Sequence, residues 1–250
     1  MNAPKNAHPD SAVSIKIERT FQRFTLGQRW EHALLILSVT ALLLTGLPQK
    51  YQNTDWSQWI ISSPERLSLI QQIHHIFALL LMAEVIYHLT RGIYLLARRR
   101  LPGAIFPTTQ DVRDAWQTIL YLLFLTKKKP AFGKFNFEQK FTYWFLFFGI
   151  GILVISGFIL WFPLVLTRFL PGGIVPAAYL AHSNEAIAAA VFIVIWHFFH
   201  VHLQRLNLSI FTGRLSEDEL RRFHTTEYER LMAGEDVEVE AINESQGGDL

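Results

Sequence analysis

Four histidines stand in two pairs of nearly equal spacing, and each pair lies inside an apolar stretch of the chain. His74 precedes His88 by 14 residues, and His182 precedes His197 by 15. On an α-helix such spacings are about four turns, or roughly 21–22 Å of rise, so each pair puts two imidazoles at two depths on roughly one face. Neutral imidazole is the usual axial ligand of haem iron. The pattern predicts two helices that hold two stacked haems.

The apolar stretches themselves are long enough to cross a membrane. Half of the 250 residues are hydrophobic and 18% are charged, and about 20 apolar residues span roughly 30 Å of hydrocarbon. The sequence predicts an all-α membrane protein, a bundle of four transmembrane helices. The expected spans are 28–49, 69–97, 141–166 and 178–204.

The basic residues are distributed unevenly between the two sides of these spans. They are frequent in the N-terminal arm, 1–27, and in segment 98–140, whereas loops 50–68 and 168–180 hold only Lys50, Arg66 and Arg168. The positive-inside rule then places both termini and segment 98–140 in the cytoplasm. A bacterial cytoplasmic (inner) membrane is the expected location, with lipids as neighbours and no nucleic acid as a partner.

The depths of the histidines follow from this orientation. His74 and His182 lie near the outer surface, where they can share one haem iron. Near the inner surface there are three candidates for two ligand positions, namely His197, His88, and His32 at the start of the first helix. His75, His200 and His202 are less suited to be ligands by direction or by position at a helix end.

Three further segments have recognisable patterns outside the spans. Segment 109–126 has apolar residues at helical spacing and predicts a helix along the cytoplasmic interface. In the cytoplasmic segment 205–233, Leu215–Met232 predicts one amphipathic helix, with Ser216 as N-cap and Glu219 three residues later. The acidic end of the chain, 234–250, predicts a disordered tail.

The chain contains no cysteine. Cysteine-ligated iron–sulfur clusters, covalently attached c-type haem and disulfides are therefore excluded. Any electron carrier beyond b-type haems must belong to another subunit.

Several short motifs occur in an order that is specific when they are taken together. Their order along the chain is Arg29-x-x-His32, TGLP (45–48), His74, KFNFEQKFTYW (134–144), SGFILWFP (156–163), AHSNEA (181–186) and GRLSEDELRRFH (213–224). Over residues 20–225 the chain resembles the gamma subunit of respiratory formate dehydrogenases and related dihaem cytochromes b.

The resemblance implies electron transfer between a quinone, menaquinone or ubiquinone, and an extracytoplasmic iron–sulfur or multihaem c-type subunit. The chain would then be the quinone-reactive cytochrome b subunit of a multi-subunit oxidoreductase. The family pattern assigns His74 and His182 to the outer haem, and His32 and His197 to the inner one. It places Asn136 at a quinone site beside the inner haem.

Two features depart from that pattern, the additional His88 and the spacing of 15 residues between His182 and His197. His88 therefore stays a competitor of His32 for the inner iron. The one that is not a ligand is expected at the quinone site or in a proton relay. Two other functional classes are alternatives, a histidine-lined ion or proton transporter and a haem-free membrane anchor. A transporter would have charged residues near the membrane midplane, and these are scarce apart from Glu84. A haem-free anchor would not explain why the histidines lie at matched depths.

Overall fold

A computed structural model of the chain describes residues 19–100, 103–128, 130–203, 206–234 and 239–240. Four helices in it are long and apolar enough to cross a membrane. They are α1 (Leu26–Lys50), α3 (Pro64–Ala97), α5 (Phe137–Trp161) and α7 (Ile174–Val191), which continues as π-helix over Phe192–His197 and Phe199–Leu203. The predicted class, a helical membrane bundle with four spans, is confirmed.

Shorter elements connect the long helices and follow the last one. The short helices are α2 (Asp55–Ile60), a 3-10 turn (Gly103–Ile105), α4 (Thr109–Leu122), α6 (Pro163–Leu166), α8 (Ser209–Thr212), α9 (Glu217–Phe223) and α10 (Thr225–Met232). The strands β1 (Thr20–Gln22), β2 (Arg214–Ser216) and β3 (Val239–Glu240) form an antiparallel sheet in the order β2-β1-β3.

Polar caps fix where the long helices begin. Thr25 and Asn136 each close a capping box at the start of α1 and α5, which satisfies backbone N–H groups that have no partner in the first turn. Helix α3 begins at Pro64, five residues before the predicted span, because Ser63 caps it and proline suits the first helical position.

Helix α1 packs against α3, and α5 against α7. The surface of this bundle is apolar, with Trp30 69% and Leu44 68% exposed, whereas Ser38 is 0% and Ser156 4% exposed. Such an arrangement is expected where lipid surrounds the helices, because small and polar residues then mediate helix contacts. Ser38 and Ser156 therefore lie on the interior side of their helices.

Helix α4 confirms a helix in the predicted interfacial segment. Its apolar residues Val112, Trp116 and Leu122 are exposed, whereas Asp114 is buried. Lys140 of α5 donates to Asp111 Oδ2 at 2.9 Å. Burial would raise the pKa of Asp111, but the hydrogen bonds from Lys140 and Thr108 outweigh it and lower that pKa below its usual value.

The prediction of one helix over Leu215–Met232 is wrong in two places. Leu215 belongs to β2, where it lies opposite Phe21 of β1 and packs with it and Leu220. The helix then stops at His224, whose buried ring donates from Nδ1 to the carbonyl oxygen of Gly133 at 2.8 Å. The predicted Ser216 cap is confirmed, since its Oγ accepts from Glu219 N at 3.3 Å. Most of the predicted tail, 234–250, lies outside the described residues.

Candidate functional site

The first candidate site lies between α3 and α7. The rings of His74 and His182 face each other with their centres 6.3 Å apart and their planes at 69°. Two imidazoles on opposite sides of one metal ion, with metal–nitrogen bonds of about 2.0–2.1 Å, have ring centres roughly 6 Å apart. The spacing of this outer pair fits an iron ion with two axial imidazoles.

Helix α1 fixes the orientation of His74. Thr45 Oγ1 lies 2.9 Å from His74 Nδ1 and donates its own hydrogen to the carbonyl oxygen of Ala41 at 2.7 Å. The hydroxyl is thus left to accept from Nδ1–H, so the lone pair of the ring is on Nε2. At Gly46 a Cβ would lie 3.3 Å from His74 Cε1, so glycine leaves room for the ring.

Helix α5 holds His182 in the same manner. Its Nδ1 lies 3.0 Å from the carbonyl oxygen of Leu153 and 3.2 Å from Ser156 Oγ. A carbonyl oxygen only accepts, so Nδ1 carries the hydrogen and Nε2 the lone pair. At Gly157 a Cβ would lie 3.0 Å from His182 Cε1. Both outer rings therefore present Nε2 for metal binding.

The second candidate site lies between α1 and the π-helical part that follows α7. His32 and His197 have ring centres 6.3 Å apart and an angle of 47° between their planes. Phe211 of α8 packs edge-on against His32 at 6.4 Å. This inner pair has the same spacing as the outer one and also fits an iron ion.

His88 is placed in a different set of contacts. Its Nδ1 donates to Glu31 Oε2 at 2.9 Å, and its Nε2 lies 3.0 Å from the hydroxyl of Tyr143, which donates to it. Arg91 forms an ion pair with the other oxygen of Glu31 at 2.7 Å. Of the two competitors for the inner iron, His32 faces His197. Both ring nitrogens of His88 are instead hydrogen-bonded, to Glu31 and Tyr143.

The remaining candidates have structural partners. His75 stacks on Trp161 with ring centres 4.2 Å apart, and His200 donates from Nδ1 to the carbonyl oxygen of Trp196 at 2.7 Å. The side chain of His202 lies outside the described part of the structure. Asn136 is 2% exposed and caps α5, with Oδ1 accepting from Gln139 N at 2.8 Å.

The residues that orient the rings were not among the predicted site residues. They are Thr45, Ser156 and Glu31, which contact His74, His182 and His88 respectively. One signal was present, since a hydroxyl followed directly by glycine occurs late in both α1 and α5. Glu84 Oε2 is buried without a hydrogen-bond partner among the described residues.

Four membrane-spanning helices that enclose facing imidazole pairs define the class of membrane-bound b-type cytochromes. The chain belongs to the prokaryotic cytochrome b561 family, whose sequence profile matches residues 23–213. Proteins of this family bind b-type haem, and the chain is accordingly a multi-pass membrane protein for haem-based electron transfer. No curated protein matches the chain. Membership favours electron transfer over the transporter and anchor alternatives.

Proposed function

We propose that the chain is a dihaem cytochrome b that carries electrons across the membrane between a quinone and an extracytoplasmic redox subunit. The observation that supports this most directly is the equal spacing of two imidazole pairs, 6.3 Å between ring centres in each. Bound haem supplies reversible one-electron chemistry at each pair. The residues of the chain hold the iron, orient the rings and exclude water.

The two pairs lie at different depths. Along α7 and its π-helical continuation, His182 and His197 are separated by roughly 22 Å of rise, about two-thirds of the hydrocarbon thickness. An electron that enters at the outer pair, His74 and His182, thus reaches the cytoplasmic leaflet at His32 and His197. The orientation rests on the positive-inside rule.

We place the quinone beside the inner pair. The resemblance to formate dehydrogenase gamma subunits supports Asn136 as a contact to it. Since Asn136 Oδ1 already caps α5, the contact would use an N–H group of the side-chain amide. His88 is hydrogen-bonded to Glu31, the residue that precedes His32 in the sequence, and is the candidate for accepting a quinol proton.

The partner is proposed to be an extracytoplasmic iron–sulfur or multihaem c-type subunit. The supporting observation is the absence of cysteine, because electrons must leave the b haems for a carrier on another chain. The chain and this partner subunit would together form a quinone-linked oxidoreductase, of which formate dehydrogenase is one possible type.

The test is to count haems in the purified protein. We expect a b-type α-band in the reduced-minus-oxidised spectrum and two haems per chain by pyridine haemochrome assay. The variants His74→Ala and His197→Ala should each retain one haem, and the control His75→Ala should retain two. A wild-type protein with one haem, or with none, contradicts the proposal.

A further inference from the structure

Helices α1 and α5 carry corresponding residues at several equivalent positions along their lengths. Each has 25 residues and begins with a capping box whose third helical residue is glutamine, Gln28 or Gln139. The caps, Thr25 and Asn136, are 111 positions apart. The same offset relates the hydroxyl residues Thr45 and Ser156, and the glycines that follow them, 46 and 157.

The matched positions perform the same task. Thr45 contacts Nδ1 of His74 at 2.9 Å, and Ser156 contacts Nδ1 of His182 at 3.2 Å. Each hydroxyl donates to the carbonyl oxygen four residues earlier in its own helix, at 2.7 and 2.6 Å. In each half the hydroxyl, the glycine after it and the leucine carbonyl three residues before it surround one ring. We call this set the histidine clamp.

The correspondence continues at the inner level, where the two halves differ. The offset of 111 relates His32 to Tyr143. Tyr143 faces His88 with ring centres 6.1 Å apart and planes at 51°, nearly the arrangement of His32 and His197, at 6.3 Å and 47°. The pair His88–Tyr143, joined by a 3.0 Å hydrogen bond, is therefore the counterpart of the inner pair. This explains the extra histidine.

We propose that α1–α3 and α5–α7 are two copies of one half-site, and that Thr45 and Ser156 are equivalent positioning residues for the axial ligands of the outer haem. The inference rests on the proposed outer haem. A hydroxyl or carbonyl that accepts from Nδ1–H fixes the tautomer and the ring plane, and it makes Nε2 a stronger donor to the metal. Because the clamps correspond, the outer haem should respond in the same direction to the loss of either hydroxyl, with the smaller response for Ser156, since Leu153 O also accepts from His182 Nδ1.

The experiment compares Thr45→Val and Ser156→Ala in the purified full chain. The matched control is Thr90→Val, which removes an exposed threonine hydroxyl that donates to Ile86 O at 2.7 Å on α3. We expect both clamp variants to retain two haems. Because a weaker imidazole donor favours ferrous iron, the reduced-to-oxidised ratio of the outer haem at fixed potential should rise about two- to tenfold, the effect of one hydrogen bond.

Low-temperature electron paramagnetic resonance gives a second readout that does not depend on activity, because ring orientation sets the signal of each low-spin haem. The outer signal should change in both variants, and Thr45→Ser and Ser156→Thr should restore it. If a clamp variant loses its haem, Gly46→Ala and Gly157→Ala test the same rings, since each added Cβ lies within 3.3 Å of an imidazole.

Three results overturn the inference, namely an outer haem unchanged in either variant, an equal change in Thr90→Val, or a change confined to the inner haem. A wild-type chain without two haems would instead contradict the proposed function. The two failures are thus distinguishable.

Discussion

An imidazole presents one defined nitrogen to a metal only when a hydrogen bond fixes its other ring nitrogen. In this protein Thr45 and Ser156 do that for the outer pair. The histidines were predictable from the sequence because imidazoles are rare within apolar spans. The hydroxyls were not, since a threonine in a helix usually bonds to its own backbone, and the contact with a ring on another helix depends on how the helices pack.

Asn136 has two possible roles that a substitution can separate. Asn136→Ser keeps an oxygen that can cap α5 but removes the amide N–H groups. If Asn136 contacts the quinone, the variant should retain two haems and be reduced several-fold more slowly by a quinol, as measured by stopped-flow absorbance. The matched control is Thr25→Ser at the equivalent cap of α1. Wild-type reduction rates in Asn136→Ser would leave Asn136 with the capping role alone.

The helices themselves were predictable to different degrees. The spans stand out by composition, and the Ser216 cap by its spacing to Glu219. The division of the C-terminal segment was not predictable, because it depends on Phe21 pairing with Leu215 and on Gly133 accepting from His224. Both partners are distant in the sequence.

The ion pair between α4 and α5 gives an element-scale prediction. Asp111→Asn should lower the free energy of unfolding by about 1–3 kcal/mol, because the largely buried ammonium group of Lys140 would lose its charged partner. The folded-state pKa of Asp111 lies below its unfolded value. The stabilisation is therefore complete above about pH 4, the usual value for aspartate, and is lost as the pH falls through the folded-state pKa.

Thermal unfolding in detergent micelles at several pH values measures this difference. The gap in melting temperature between wild type and Asp111→Asn should be widest near neutral pH and close on acidification. Asp218→Asn, in the first turn of α9, is a control at a carboxylate outside this pair. A gap that stays constant down to pH 3 would contradict the assignment.

At the scale of the molecule, two related halves meet at one outer site and diverge at the inner level. The repeat was not recognisable in the sequence because the corresponding residues are similar in chemistry rather than identical, as with Thr45 and Ser156, or His32 and Tyr143. The structure reveals it through equal helix lengths and equal contacts. The divergence gives the protein one inner pair and, on the other side, a hydrogen-bonded His88–Tyr143 pair.

The roles of His32 and His88 can be separated by counting haems in two variants. His32→Ala should leave one haem per chain and abolish the inner signal, because His197 would lose the ring that faces it. His88→Ala should keep two haems, since both its nitrogens are bonded to Glu31 and Tyr143. The His88→Ala variant should nevertheless be reduced more slowly by quinol if His88 accepts a proton.

Tyr143→Phe removes only the hydroxyl that donates to His88, and this variant should also keep two haems. A His88→Ala protein with one haem, together with a His32→Ala protein with two, would show that the inner iron lies between α3 and α7, and that the two halves are not related as the offset implies.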